Sequence, residues 1–320
     1  MFRGESVKDV RKLTEGAILL AAFAALLLVT MYIPLVGAIV NLVLPLPFII
    51  FSYKNGPKLI AAFAVAAIFI SFIAGSILGL GIMLIYGTVG LVIGYLLQKG
   101  KSRAFILIAG SLTMMAGLVI MYAVTVSFMK IDIIHELTVA LNESVKNSEE
   151  MLKAMGREDQ IAKIKEQNSL MLKQIVTLAP SALIFAAILL TFITQWICFP
   201  IAKRFGVNVQ PWGHFRNLAL PKSLLWYYLI ALGAMLLFHP QEGTYIYSVL
   251  INARSVLETF ILLQGVALLF FLFHQKSVAK GLGVFVVILT FMIPLVRYII
   301  MLLGITDLGF NFRKQFEKKE

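Results

Sequence analysis

The sequence predicts an all-α, polytopic membrane protein with about nine transmembrane helices, and three observations carry that prediction. Hydrophobic residues make up 60% of the chain and charged residues 14%, with a mean hydropathy of +0.92. One soluble core in a chain of 320 residues cannot hide that much apolar surface, whereas a bilayer solvates it. The apolar residues come in runs of about 20, enough to cross about 30 Å of hydrocarbon as helix. These runs are apolar all round, without the alternation of a barrel strand, so only helices satisfy their backbone amides.

In chain order the runs are Thr14–Ile33, Leu35–Tyr53, Lys58–Ile77, Leu80–Leu97, Ala104–Phe128, Ile175–Phe199, Ser223–Phe238, Tyr245–His274 and Leu282–Leu303. Ala22-Phe23-Ala24 has the form of a signal-peptidase site, but apolar sequence continues beyond it, so the first run reads as a retained anchor. Basic residues set the orientation. Arg3, Lys8, Arg11 and Lys12 precede the first run, Lys54 and Lys58 follow the second, and Lys99, Lys101 and Arg103 follow the fourth. Lys203, Arg204, Arg216 and Lys222 lie after the sixth, and Lys276 and Lys280 after the eighth. The intervening short loops carry no Lys or Arg, which places the N-terminus in the cytoplasm. The tail resists this scheme. Nine crossings put it outside, yet it holds Arg313, Lys314, Lys318 and Lys319. The eighth run, about 30 residues long, is the expected place of a miscount, as a short interfacial piece joined to a true span.

Lys130 to Lys173 is the one sizeable polar segment, with seven basic and eight acidic residues. Ile134, Leu137, Leu141, Val145 and Leu152, then Ile161, Ile164 and Met171, recur at helical spacing around a Gly156-Arg157-Glu158-Asp159 turn. The spacing predicts an outward-facing antiparallel helical hairpin of about 30 Å at 1.5 Å per residue. It either seals itself as a coiled coil or docks a partner.

Ala17, Ala21 and Ala25 make a small-residue stripe on the first helix, and Gly90 and Gly94 repeat the spacing in the fourth. Such stripes let helices approach closely, usually within one bundle. An ordered set of features continues from Arg11-Lys12 and the alanine stripe. It comprises Ile33-Pro34-Leu35-Val36-Gly37, Leu44-Pro45-Leu46-Pro47, Asn55-Gly56-Pro57-Lys58 and Gln98-Lys99-Gly100-Lys101. Across residues 11–103 this order resembles the first four helices of the substrate-binding S components of energy-coupling-factor transporters. The resemblance implies a six-helix S-component-like unit over 1–129 and 174–205; the extracytoplasmic hairpin inserted at 130–173, and the cytoplasmic interfacial loop with a three-helix membrane unit over 206–320, depart from that family's pattern. It also implies that Ala17, Ala21 and Ala25 dock a transmembrane T component served by ATPases. Over nearly its full length the chain more closely resembles the YybS-like family of bacterial membrane proteins, to which no activity is attached. That resemblance rests on Pro211-Trp212-Gly213-His214-Phe215-Arg216, Leu220-Pro221, Gly304-Ile305-Thr306-Asp307 and Phe312-Arg313-Lys314. It implies residence in the bacterial plasma membrane.

Arg254, Glu258 and Arg297 fall within apolar runs, where a charge costs about 2.5–3.5 kcal/mol and requires a partner or water. Arg254 and Glu258 are one turn apart and can pair. If Arg297 joins them, one positive charge remains to receive an anionic ligand, with Asn252 and Asn41 as hydrogen-bond donors at similar depth. The alternative is structural, the pair locking its helix while Arg297 snorkels. Trp212, Phe215 and Arg216, between Pro211 and Pro221, form either an interfacial elbow or a cytoplasmic docking site. Thr194 and Gln195 in the sixth run either line a cavity or, the stronger expectation, hydrogen-bond between helices.

The single cysteine, Cys198, excludes an internal disulfide, and His135, His214, His239 and His274 lack the spacing of a zinc site. No Ser/His/Asp order, HExxH or Walker lysine motif is present, so neither an enzyme nor a cofactor is expected. The formal charge of +12 sits in short loops and tails facing lipid headgroups, which argues against nucleic acid. Two functions are consistent with these features. One is a small-molecule-binding subunit of an energy-coupling-factor-like uptake system. The other is a scaffold that engages cell-envelope proteins through the hairpin.

Overall fold

A computed structural model describes residues 3–310 together with Phe312 and Arg313, with side chains described from Val10 onward except that of Lys280. The side chains of Arg3 and Lys8, and the tail residues Lys314, Lys318 and Lys319, lie outside the described residues. The described chain is helical, with no strand. Twelve helices follow in order: α1 (Arg3–Tyr32), α2 (Pro34–Val40), α3 (Pro45–Lys54), α4 (Pro57–Ile82), α5 (Thr88–Gln98), α6 (Arg103–Val124), α7 (Ile133–Ala154), α8 (Ile161–Arg204), α9 (Ser223–Phe238), α10 (Tyr245–Gln275), α11 (Lys280–Met292) and α12 (Pro294–Phe310). Two compact units emerge, residues 1–168 with 183–211, and residues 169–182 with 212–320.

By length and apolarity six helical stretches can cross a membrane, or seven if α11 and α12 together make one span. This count by length falls below the expected nine for three reasons, the first of which keeps both expected runs as arms and the second of which concerns an apolar helix two residues short of the length. The stretch Pro57–Gln98 is helical throughout but broken at Gly75 and Ser76, where Ser76 takes φ 52°. It doubles back there, because Gln98 Nε2 donates to the carbonyls of Tyr53 (2.9 Å) and Asn55 (3.0 Å) beside its own beginning. The expected third and fourth runs are therefore the two arms of one bent stretch. Ser223–Phe238 is apolar but has only 16 residues. The expected ninth run is two helices bent by 115°. The eighth, α10, is instead one continuous helix of 31 residues.

In the first unit, glycine faces set the packing. A Cβ on Gly90 would strike the carbonyl of Pro45, and one on Gly94 that of Ile49, so α5 lies backbone-close to α3. Phe23, Phe48, Phe51 and Phe63 form a buried aromatic cluster joining α1, α3 and α4. Apolar side chains also face outward, among them Leu13 and Ile18 on α1 and Phe69, Phe72 and Ile73 on α4. Outward apolar faces suit a lipid solvent.

The expected second run is interrupted at residues 41–44 between α2 and α3. Pro45 and Pro47 supply no N–H to the helical ladder there. The Leu42 carbonyl left over accepts the thiol of Cys198 on α8 at 3.3 Å.

The polar segment forms two antiparallel arms, α7 and the start of α8, turning at Gly156 with φ +67°. Asn168 bonds Asn142 at 3.0 Å and Lys165 pairs with Glu149 at 3.1 Å. The half-buried seam of α7 is Ile134, Thr138, Leu141, Val145, Ser148 and Leu152, spaced alternately four and three. Leu137, expected on the seam, is exposed. Asp132 caps α7 by accepting from the N–H groups of Ile134 (3.0 Å) and His135 (3.3 Å), and it also receives the Tyr122 hydroxyl (3.1 Å). These bonds, that of His135 first, hold its carboxyl below the usual carboxylate range.

Candidate functional site

The intramembrane charges gather in the second unit. Arg254 and Glu258 sit one turn apart on α10, and Arg254 Nε donates to Glu258 Oε1 at 2.6 Å. The Tyr228 hydroxyl, from α9, donates to the same carboxylate oxygen at 3.5 Å. Against this pair lies the break between α11 and α12. Pro294 has no N–H with which to continue the α11 ladder and drives the preceding residue out of helical geometry. Ile293 accordingly takes φ −119°, ψ 111°.

A cavity of about 220 Å³ opens at this break, lined by Arg254, Glu258, Thr290, Pro294, Arg297 and Tyr298 among others. Two guanidinium groups and one carboxylate leave a net positive charge. Pro294, the first residue of α12, contributes the positive end of a 17-residue helix dipole. The Arg254 and Glu258 side chains are 37% and 16% exposed, so the pair is mostly withdrawn, while Arg297 is exposed. Chemically the arrangement offers a fork of planar donors to an anion, with the carboxylate holding one fork in place.

Asn252, expected beside these charges, is fully occupied elsewhere. Its Oδ1 accepts from Ser181 N–H at 2.8 Å, and its Nδ2 donates to the carbonyls of Thr177 (2.6 Å) and Ser248 (2.7 Å). It thus inserts into the α8 ladder beside Pro180, a staple with both amide hydrogens and its carbonyl oxygen engaged. Asn41 belongs to the first unit, at the interruption after α2, and does not line the cavity; its buried Oδ1 has no hydrogen-bond partner among the described residues. Ala17, Ala21 and Ala25 are all exposed along α1. Trp212 and Phe215 are partly exposed; Phe215 packs edge-on against Phe270 of α10 at 6.0 Å, and the Arg216 carbonyl accepts from Arg313 at 2.8 Å. These two contacts tie Phe215 and Arg216 to α10 and Arg313 of their own unit.

Two groups of polar residues were missed or misread from sequence. Gln264 and Asp307 form a buried clasp, Gln264 Nε2 donating to Asp307 Oδ2 at 2.6 Å and Gln264 Oε1 accepting from Leu220 N–H at 3.0 Å. Arg313 Nε donates to the same Asp307 oxygen at 3.0 Å. The signal was present, a Gln and an Asp in apolar surroundings, but ending the ninth run at Leu303 placed Asp307 outside it. In the first unit Thr191, Thr194 and Gln195 are fully buried without hydrogen-bond partners among the described residues, contrary to the expected bonding between helices. They sit at i, i+3 and i+4 on one face of α8. Gly110 of α6 packs directly on the Thr191 methyl.

Comparison with known proteins places the chain. The model of a family described as predicted membrane protein (DUF2232) matches residues 21–308. The uncharacterized protein YybS of Bacillus subtilis (strain 168) is 31% identical over 310 residues, covering 97% of this chain and 99% of that protein. No solved structure matches. Matched by that family's model over nearly its whole length and related end to end to YybS, the chain belongs to the DUF2232 family of membrane proteins.

Proposed function

We propose that the protein is a non-enzymatic, ligand-binding membrane subunit that holds a small anion in the Arg254–Glu258–Arg297 cavity and acts with partner proteins. The observation that carries this reading is a charged cavity at a broken helix in otherwise apolar sequence. Irregular backbone at membrane depth is tolerated where it lines a cavity, and half-helix N-termini there receive anionic groups. An uptake role of the energy-coupling-factor kind places a T component on the exposed Ala17, Ala21 and Ala25 stripe, with ATPases behind it, in the bacterial plasma membrane.

A second reading is favoured by the hairpin. No residue of α7 is fully buried, so its surface is available to a cell-envelope protein and the chain acts as a scaffold.

The test is native mass spectrometry of the protein purified from its own membrane in mild detergent. A small anionic adduct, lost in Arg297→Ala while that variant still accumulates in the membrane, supports the transport-subunit reading. Bare protein, or protein carrying only envelope proteins, supports the scaffold. Failure of Arg297→Ala to accumulate assigns Arg297 a structural role.

A further inference from the structure

The helices of the second unit are in a register that fixes their relative directions. On α10 and α12 the contacts advance together. Arg254 and Glu258 share the cavity with Arg297 and Tyr298, and a Cβ on Gly265 would strike the Ile300 carbonyl and the Gly304 nitrogen. Further along, Gln264 bonds Asp307, and the Arg313 guanidinium lies over the Phe271 ring at 5.6 Å. Rising numbers meet rising numbers, so α12 runs parallel to α10.

On α11 the order is reversed. A Cβ on Gly283 would meet the Phe270 ring near the end of α10, whereas Thr290 and Met292 line the cavity with Arg254. Thus α11 runs antiparallel to α10. Helix α9 does too, since Leu220 bonds Gln264 and Tyr228 bonds Glu258.

Helices α11 and α12 therefore do not continue one another through the bilayer. With 13 residues, α11 reaches about 20 Å at 1.5 Å per residue, short of the roughly 30 Å of hydrocarbon. The chain then turns back at Ile293 and Pro294. Arg313 closes the return by bonding the Arg216 carbonyl in the loop before α9.

We propose that α11 and α12 form a re-entrant pair, entering and leaving the membrane on the face that carries the 212–222 loop, with the anion cavity at its tip. Arg313 then lies on that face. Charge agrees: Arg216, Lys222, Lys276 and Lys280 occur in segments on that face and Arg313 joins them, whereas residues 239–244 carry no Lys or Arg. With the ninth expected run re-entrant, the other eight, α9 included, remain as crossings, and Arg313 falls on the basic face. The topology rests on helix register alone; only the role of the tip rests on the anion reading.

The experiment is labelling with a membrane-impermeant maleimide in a Cys198→Ser background, on intact cells and on inverted vesicles. Three full-length variants carry one cysteine each: His214→Cys, Glu242→Cys, and a cysteine appended after Glu320. The appended cysteine is expected to label from the same side as His214→Cys and opposite to Glu242→Cys. Labelling from the Glu242→Cys side, or equally from both sides, overturns the re-entrant pair. Either result leaves the anion reading to be decided by its adduct, so the two proposals fail separately.

Discussion

Gly265 on α10 and Gly304 on α12 stand backbone to backbone. A Cβ added to Gly265 would fall on the Ile300 carbonyl and the Gly304 nitrogen, and one added to Gly304 on the Ile261 carbonyl. Lipid tails are as apolar as leucine, so helices in a bilayer gain by close contact rather than by apolar burial. The approach of two glycines is what brings Arg297 to the same cavity as Arg254 and Glu258.

Enlarging either glycine should therefore open the second unit. Gly304→Val is expected to lower stability by about 1–3 kcal/mol, the usual cost of overpacking. Thermal unfolding of the purified protein in detergent measures it. Gly233→Ala is the control, because a Cβ there meets nothing within 4 Å and a helical alanine is favoured. An equal loss in both variants would remove the special role of the glycine pair.

The buried clasp gives a second expectation. Asp307 is 5% exposed and shares its carboxylate between Gln264 and Arg313. Arg313→Met leaves that charge without its cation and is expected to cost about 3–5 kcal/mol, as for a broken buried ion pair. Adding Asp307→Leu removes the stranded carboxylate and should recover most of the loss. A double variant no better than Arg313→Met alone would show that the pair contributes through something other than charge.

Asn252 separates a staple from a ligand-binding residue. Asn252→Ala should cost about 0.5–2 kcal/mol, the range of polar contacts between membrane helices. The cost is held down because Ser181 N–H and the Thr177 carbonyl can bond each other once the amide is gone. Any anionic adduct seen by native mass spectrometry should survive this substitution. Its disappearance would return Asn252 to the binding site.

What the sequence determined by itself is local. Apolar runs too long and too uniform for a soluble core dictate helices in a membrane, and the polar stretch after α6 dictates a hairpin turning at Gly156. The i, i+4 spacing of Arg254 and Glu258 dictates their pairing. Each of these follows from the 3.6-residue period or from one turn of backbone, so neighbours in sequence suffice to read it.

What the tertiary structure decided depends on how helices far apart in sequence cross. Nothing in the period of α12 reveals that it runs parallel to α10. That direction arises because Pro294 breaks the ladder and the two glycines let the backbones touch. The break turns an apparent final span back on itself, carries Arg297 to a pair some 40 residues earlier in the chain, and delivers Arg313 to Asp307 and the Arg216 carbonyl. Asn252 was misjudged for the same reason. Its partners, Thr177 and Ser181, lie more than 70 residues away, and only packing puts them within reach.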